Sequence, residues 1–162
     1  DGGVQARRVA VLVADGADVG GIQPLLESLT AAGAVARLVG PRLGRLMTAG
    51  GHDVEIDTPV DAMPSALWDA VILPDAGGSD ARLLDGRVLE FVKDQYRHCK
   101  PILAVGAGQA VLAKAGVPTA LPDGAPDPGL LMAAPGDVDP GGFMAALAKH
   151  RHFERETDPP RV

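Results

Sequence analysis

The amino-acid sequence predicts one α/β domain in which helices cover both faces of a doubly wound parallel sheet. Short apolar runs rich in β-branched residues alternate with longer segments whose apolar residues recur at helical spacing. Hydrophobic residues make up 46% of the 162 residues but aromatic residues only 3%, so the core must be mainly aliphatic, which suits a sheet buried on both faces. We expect the domain to span residues 1–153 and a loose polar tail to span residues 154–162.

Five segments have the composition of core strands, because each is short, apolar and closed by Gly, Pro or Asp. They are Arg8–Ala14, Val35–Val39, Ala70–Pro74, Pro101–Val105 and Leu130–Ala134. Strands that alternate with helices return in parallel through right-handed crossovers. The sequence therefore predicts a flavodoxin-like strand order in a three-layer α/β/α arrangement.

Four helices are predicted between and after these strands. The first begins near Ile22 and ends at Gly33, a residue type that commonly follows the last helical turn. The second runs from Val88 to about Lys100, and the third from Ala110 to Gly116. Asp139-Pro140 opens the fourth helix, since proline is favoured at the first helical position.

The segment between the second and third core strands breaks this alternation. Two short arms, Leu43–Met47 and Asp53–Ile56, flank the turn Thr48-Ala49-Gly50-Gly51, which predicts a β-hairpin inserted at the sheet margin. Residues Pro59–Ala66 are expected to form a loop with one helical turn. Trp68 is expected to pack rather than to bind a ligand.

Composition and charge argue against several kinds of partner. The net charge is −6 and the basic residues are scattered, whereas a nucleic-acid interface clusters them to neutralise phosphates. No apolar stretch approaches the ~18 residues that span a bilayer, and no signal-peptide pattern is present. Cys99 is the single cysteine, which excludes an intrachain disulfide and predicts a cytoplasmic location. Because the first residue is Asp1 rather than Met, we expect the domain to belong to a longer polypeptide.

The turn Gly106-Ala107-Gly108 lies where a strand is expected to feed a helix, which is the position of the nucleophile in hydrolases of this layout. A nucleophile must be Ser, Cys or Thr with a base beside it, and the turn offers none. Cys99 precedes the strand and should lie at its opposite end. A dinucleotide fingerprint would belong on the first strand and need a third small residue where this chain has Val111. A structural turn is therefore favoured over phosphate binding.

Three acidic residues fall at predicted strand ends: Asp15, Asp18 and Asp75. Together they could bind a hard divalent cation, as in a phosphoacceptor receiver domain. Such a site also needs a lysine near the end of the last core strand, and residues 130–135 contain none. Aspartate is common in turns because its side chain bonds nearby backbone, so turn chemistry is favoured over a metal site.

The remaining candidate ligands are dispersed. His150 and His152 are two residues apart, so on a helix they would face different ways and could not share a metal. All four histidines are expected to be exposed or partly packed: His52, His98, His150 and His152. Four methionines are expected to fill the core: Met47, Met63, Met132 and Met144.

The strand ends resemble the PfpI-like branch of the class I glutamine amidotransferase superfamily. The resemblance rests on Val71–Pro74 with Gly77-Gly78, and on Ile102–Gly108 running into Leu112–Val117. Members of that branch are peptidases, deglycases and chaperones with a cysteine at the turn between strand and helix. The resemblance implies that no hydrolase activity is inherited, because the three catalytic positions carry other residues. The family's cysteine falls on Gly106, its neighbouring histidine on Ala107, and its glutamate on or beside Gly21.

Nearly the whole chain resembles the C-terminal domain of large-subunit monofunctional haem catalases. The shared features are the opening Arg8–Val13 with Asp15–Asp18, the inserted hairpin, Asp69–Pro74, the Lys100-Pro101 step and the final helix over Phe143–Glu154. The resemblance implies a parent enzyme that dismutates hydrogen peroxide to water and oxygen with a haem in a separate β-barrel. It also implies a homotetramer in which this domain aids assembly, stability or channel architecture.

No haem-pocket position of that family falls on this chain, so the resemblance implies no catalytic, cofactor-binding or metal-binding residue here. Residues Gly106, Ala107 and Gly108 would then be a vestigial nucleophile turn. The implied partners are the catalase core of the same polypeptide and its tetramer mates, with no nucleic acid and no membrane. Two alternatives stay open: a free-standing PfpI-like hydrolase, deglycase or chaperone, and a receiver-like domain that binds a cation or small ligand.

Overall fold

A six-stranded parallel sheet forms the middle layer of the structure, a computed structural model that describes residues 3–156. The strands are β1 (Arg8–Leu12), β2 (Val35–Gly40), β3 (Gly44–Met47), β4 (Asp53–Ile56), β5 (Thr58–Pro59), β6 (Ala70–Leu73), β7 (Ile102–Val105) and β8 (Leu130–Ala133). The sheet order is β5-β2-β1-β6-β7-β8, with every neighbouring pair parallel. Apart from the edge strand β5, this is the flavodoxin-like order that the sequence predicts.

Four helices complete the outer layers: α1 (Gln23–Ala31), α2 (Gly86–Arg97), α3 (Gly108–Lys114) and α4 (Pro140–Lys149). They confirm the four predicted helices, although α2 ends three residues before the expected Lys100. Asp85 accepts the backbone N–H of Arg87 at 2.9 Å and so caps α2, and Gly33 follows α1 with φ at +87°. Within residues 3–156, no helix has the length and apolarity to cross a membrane.

Two apolar clusters lie on opposite faces of the sheet, because successive side chains of a strand point to opposite sides. Along β1, Val9 and Val11 join the cluster under α1 and α4, whereas Ala10 and Leu12 join the cluster under α2 and α3. Strands β6 and β7 alternate in the same way. A sheet covered on both faces explains why the strands read as continuous apolar runs.

The predicted hairpin is present, and it forms an antiparallel two-stranded sheet of its own from β3 and β4. It lies against the loop that follows β1, where the Gly16 N–H donates to the Met47 carbonyl at 2.8 Å and the Ala49 N–H donates to the Ala17 carbonyl at 3.0 Å. The margin of the main sheet is instead the two-residue strand β5. Sequence periodicity missed β5 because two residues, one of them proline, carry no alternating pattern.

The expectation of a loose tail from residue 154 is wrong for residues 154–156. Phe153–Glu156 form a 3-10 turn, and Arg155 is only 5% exposed. Its Nε donates to Asp127 Oδ2 at 2.7 Å, its Nη1 donates to the Lys100 carbonyl at 2.8 Å, and its guanidinium lies over the Tyr96 ring. The fold therefore continues through this turn, and residues 157–162 lie outside the described residues.

Several expectations about single side chains are also corrected. His152 is buried rather than exposed or partly packed, with Nε2 2.9 Å from the Ala146 carbonyl. Met47 and Met132 are 49% and 45% exposed, so they do not fill the core, whereas Met63 and Met144 do pack against it. Trp68 is buried, which confirms its packing role.

We predict that Arg155→Met lowers the free energy of unfolding by about 3 kcal/mol, because it leaves the buried Asp127 carboxylate without its cation. Urea denaturation followed by circular dichroism measures the loss. Arg97→Met is the matched control, since Arg97 makes only exposed ion pairs and should change stability by less than about 1 kcal/mol. Equal midpoints for the two variants would show that the 153–156 turn does not hold the fold.

Candidate functional site

The carboxyl ends of the parallel strands meet at one edge, where the sequence places its candidate site. The loops after β1 and β6 are joined there by a β-bridge between Ala17 and Ala76. The Asp18 N–H donates to the Asp75 carbonyl at 2.7 Å, and the Gly77 N–H donates to the Gly16 carbonyl at 3.0 Å. The two loops are thus held together across the edge of the sheet.

A buried arginine fixes the strands beneath these loops. Arg82 is 1% exposed, and its guanidinium donates to the Leu12 carbonyl at 3.1 Å and to the Pro74 carbonyl at 2.8 Å. The Asp80 carboxylate accepts from the same guanidinium at 2.7 Å. Sequence reasoning missed Arg82, because a single arginine in a polar loop looks like any exposed residue.

The turn after β7 has the sharp geometry that the sequence predicts. Gly106 has φ at +51°, the left-handed region that side chains other than glycine adopt at a cost. Its N–H donates to the Ala133 carbonyl at 2.9 Å, and its carbonyl accepts from the Gln109 N–H at 3.0 Å. A Cβ on Gly108 would overlap the Leu73 carbonyl oxygen, so glycine there allows α3 to start directly against β6.

Asp75 fills the space beside Gly106. A Cβ on residue 106 would lie 2.5 Å from Asp75 Oδ1 and 3.0 Å from Pro135 Cγ. The same Oδ1 accepts the Ala107 N–H at 2.8 Å, which places a carboxylate at the amino end of α3. The position that would carry a nucleophile therefore faces an anion that already binds the backbone.

The position of the expected family glutamate is also filled. A Cβ on Gly21 would overlap the Asp18 carboxylate, whose Oδ1 accepts the Gly21 N–H at 3.0 Å. Asp15 likewise accepts the Met47 N–H at 3.2 Å. Asp18 makes the local turn contact that the sequence predicts. Asp15 and Asp75 instead accept backbone N–H groups from Met47 and Ala107, each 32 residues away along the chain, so local turn chemistry does not describe these two residues. Among residues 3–156, no group of three or more His, Cys, Asp and Glu side chains is placed to hold a metal ion.

Cys99 lies before β7, at the opposite edge of the sheet, as the sequence predicts. Its thiol is buried, and burial raises the pKa of Cys99, with the nearby Glu156 carboxylate acting in the same direction. Loss of solvent disfavours the thiolate more than the nearby Arg155 and Arg151 guanidiniums favour it.

The strand order, and the turn that joins β7 to α3, place the chain in a known class of fold. A two-domain protein from Anabaena variabilis, described as containing DJ-1/ThiJ/PfpI-like and ferritin-like domains, superimposes with a TM-score of 0.71 at 16% identity. The match covers 96% of this chain and 52% of that chain. The fold is therefore that of the DJ-1/ThiJ/PfpI-like proteins.

Sequence comparison narrows this class to one family. The profile of the C-terminal domain found in long catalases matches residues 5–157. Catalase HPII of Mycobacterium avium is 38% identical, covering 98% of this chain and 24% of that protein. Catalase HPII of Pseudomonas aeruginosa is 33% identical, covering 96% of this chain and 21% of that protein. The chain belongs to the family of C-terminal domains of long catalases, and it spans about a quarter or less of the length of these relatives.

We predict that Gly106→Ala lowers the unfolding free energy by about 2 kcal/mol, from left-handed strain plus the contact with Asp75. In the Asp75→Ala background the same substitution should cost only about 1 kcal/mol, because the backbone strain and the longer contact with Pro135 remain but the close contact with Asp75 is gone. Differential scanning calorimetry of the four proteins measures both values.

Gly116→Ala is the matched control, since Gly116 has φ at +79° and open space around it. It should resemble Gly106→Ala in the Asp75→Ala background. A Gly106→Ala protein that melts above the parent would contradict the strained turn.

We also predict that the rate at which iodoacetamide alkylates Cys99 rises with an inflection at a higher pH than for a free thiol, because burial disfavours the thiolate. Alkylation rates measured against pH locate the inflection. The chain unfolded in urea supplies the reference, where the inflection should return to the ordinary value of about 8.5. An inflection in the folded chain below that of the unfolded chain would refute the burial argument.

Proposed function

We propose that this chain is the non-catalytic C-terminal module of a long haem catalase, an enzyme that dismutates hydrogen peroxide to water and oxygen. In this proposal the domain aids assembly, stability or channel architecture of a homotetrameric parent in the cytoplasm. The observation that carries the proposal is the carboxylate of Asp75 in the space beside Gly106. Catalysis of the PfpI-like kind needs a nucleophile at that point, with a donor free to stabilise developing charge.

The residues of the turn cannot supply these groups. Gly106 has no side chain, and the Ala107 N–H already donates to Asp75 Oδ1. The carboxylate also repels an anionic intermediate. The one thiol, Cys99, is buried at the other edge of the sheet and favours its protonated form.

The residues described do not fit a haem either. Haem iron takes a histidine, cysteine, tyrosine or methionine as its protein ligand. His152 is 1% exposed and bonded to a backbone carbonyl, and His150 Nδ1 lies 2.6 Å from Arg7 Nη1. His52 and His98 are exposed. We therefore assign the haem to the core of the parent and derive no step through it on this chain.

Large apolar side chains are exposed at both ends of the parallel strands. Leu84 is 88% exposed near the carboxyl ends of the strands, and Phe153 is 57% exposed near their amino ends. Leu43, Met47 and Leu67 are also large apolar side chains at the surface. In this proposal these side chains are available for contacts with the rest of the longer polypeptide.

We predict that the purified 162-residue chain is colourless and inert towards peroxide. Titration with haem should produce no Soret band at a stoichiometric ratio, because no strong ligand is available in a pocket. A Soret band accompanied by peroxide turnover would overturn the proposal.

The proposal is tested further in a long catalase that carries this domain. Removing residues 5–157 should lower the melting temperature or the yield of assembled oligomer, while activity per haem in the surviving oligomer is retained. Loss of activity per haem in a fully assembled oligomer would contradict a non-catalytic role. Turnover of methylglyoxal or a peptide by the isolated chain would favour a PfpI-like enzyme, and a thermal shift with Mg²⁺ would favour a receiver-like domain.

A further inference from the structure

A groove of about 210 Å³ opens above the amino-terminal halves of β1 and β2. It lies on the face of the sheet opposite α1. In a doubly wound sheet the connection from β2 to β6 crosses this face and normally carries a helix. Here the only helical segment of that connection is the 3-10 turn Ser65–Leu67, so part of the face stays uncovered. The groove is lined by Arg8, Val35, Arg37, Thr58, Met63 and Trp68.

Two arginines border this groove from neighbouring strands. Arg8 lies two residues before Ala10, and Arg37 two residues before Val39, so both point to the face that Ala10 and Val39 share. Arg37 is the register partner of Ala10. Arg8 and Arg37 are therefore diagonal neighbours about 8 Å apart at the backbone, which long side chains span easily.

Neither guanidinium has a carboxylate partner among residues 3–156. The side chain of Arg8 makes no ion pair or hydrogen bond there, and Arg37 donates only to the carbonyl of Ala36 at 3.1 Å. The neighbouring acid, Asp69, uses Oδ2 to accept the Arg8 backbone N–H at 2.8 Å. Because the two guanidiniums line one groove and neither has an acidic partner among the described residues, they favour an anionic occupant.

Trp68 gives the groove a fixed apolar wall. Its carbonyl accepts from Lys100 Nζ at 2.6 Å, and its side chain is 2% exposed. The indole Nε1 is buried and has no hydrogen-bond partner within residues 3–156. Tryptophan and arginine are both enriched among the residues that contribute most to the binding energy of protein interfaces.

The size and edge of the groove favour a protein segment over a small molecule. Its 210 Å³ is below the roughly 300–1,000 Å³ of small-ligand pockets and suits one or two side chains. Strand β5 pairs only with Val39 and Gly40, so residues 35–37 have no strand on their outer side within the described chain. An open edge of this kind accepts an extended segment.

We propose that this groove, the arginine groove, binds an acidic extended segment of the long catalase polypeptide to which the chain belongs. A Glu or Asp side chain lies between Arg8 and Arg37, and an apolar neighbour packs on the partly exposed Val35 and Met63 beside the buried Trp68. The identity of the polypeptide rests on the proposed function, whereas the chemistry of recognition rests on the groove alone.

The test uses the full 162-residue chain and the blocked peptide acetyl-Val-Glu-Val-Glu-amide. Trp68 is the single tryptophan, so its fluorescence reports on the groove without interference. The expected result is a saturable change in emission that weakens with added salt. The glutamine counterpart, acetyl-Val-Gln-Val-Gln-amide, should bind at least about fivefold more weakly, as loss of a charged contact implies.

Arg8→Gln and Arg37→Gln should each weaken binding of the glutamate peptide by about the same factor, and Arg42→Gln is the matched control. Arg42 is an exposed arginine outside the groove, so removal of its charge should leave affinity unchanged. Equal binding of the two peptides, no binding of either, or competition by sodium acetate at equal concentration would overturn the proposal. If the glutamate peptide does not bind but deletion of the domain still destabilises a long catalase, the proposal for the arginine groove is wrong and the proposed function stands.

Discussion

The buried guanidinium of Arg82 is the interaction on which the carboxyl edge of the sheet depends. A cation removed from water costs several kcal/mol unless its donors are satisfied, and here the Leu12 and Pro74 carbonyls and the Asp80 carboxylate satisfy them. The two carbonyls belong to the ends of β1 and β6, so one side chain sets the position of both strand ends. The loops that follow can then form the Ala17–Ala76 bridge, which aims Asp75 at the amino end of α3.

The turn at Gly106 keeps a sharp strand-to-helix geometry although residue 106 has no side chain that could act as a nucleophile. In PfpI-like enzymes the strand-to-helix turn carries a cysteine, which the resemblance places at residue 106. In this chain residue 106 is a glycine in the left-handed conformation. The carboxylate of Asp75, which follows the neighbouring strand β6, accepts the N–H of Ala107. The strain is relieved and the donor is used within the fold. Likeness of fold alone therefore gives no ground for assigning a PfpI-like activity to this chain.

The sequence predicted the elements that depend on residues close together in the chain. Periodicity alone indicated the apolar strands β1, β6 and β7 and the amphipathic helix α2, and the residue types indicated the turn at Gly106. Features whose partner lies far along the chain were missed. Arg82 contacts a carbonyl 70 residues away, and Arg155 contacts a carboxylate 28 residues away. Burial of a polar side chain depends on such contacts, and no periodicity records them.

The same limit applies to the candidate site. Asp75 was legible as a turn residue, but its bond to Ala107 exists only because β6 and β7 are neighbours in the sheet. Strand β5 and the sheet face that it leaves open depend on how the long connection from β2 to β6 is laid across the sheet. Sequence pattern predicted that this connection breaks the alternation of strands and helices, but not what the missing helix would expose.

The long connection from β2 to β6 affects both ends of the sheet. Its first half, the hairpin of β3 and β4, packs on the loop after β1 and helps to close the carboxyl edge. Its second half supplies Trp68 in place of a helix, so the opposite face stays open beside Arg8 and Arg37. In an ordinary doubly wound protein the carboxyl edge holds the ligand and this face is covered. Here one insertion packs on the loop after β1 at the carboxyl edge and leaves the opposite face open, which is the arrangement that the proposed packing role requires.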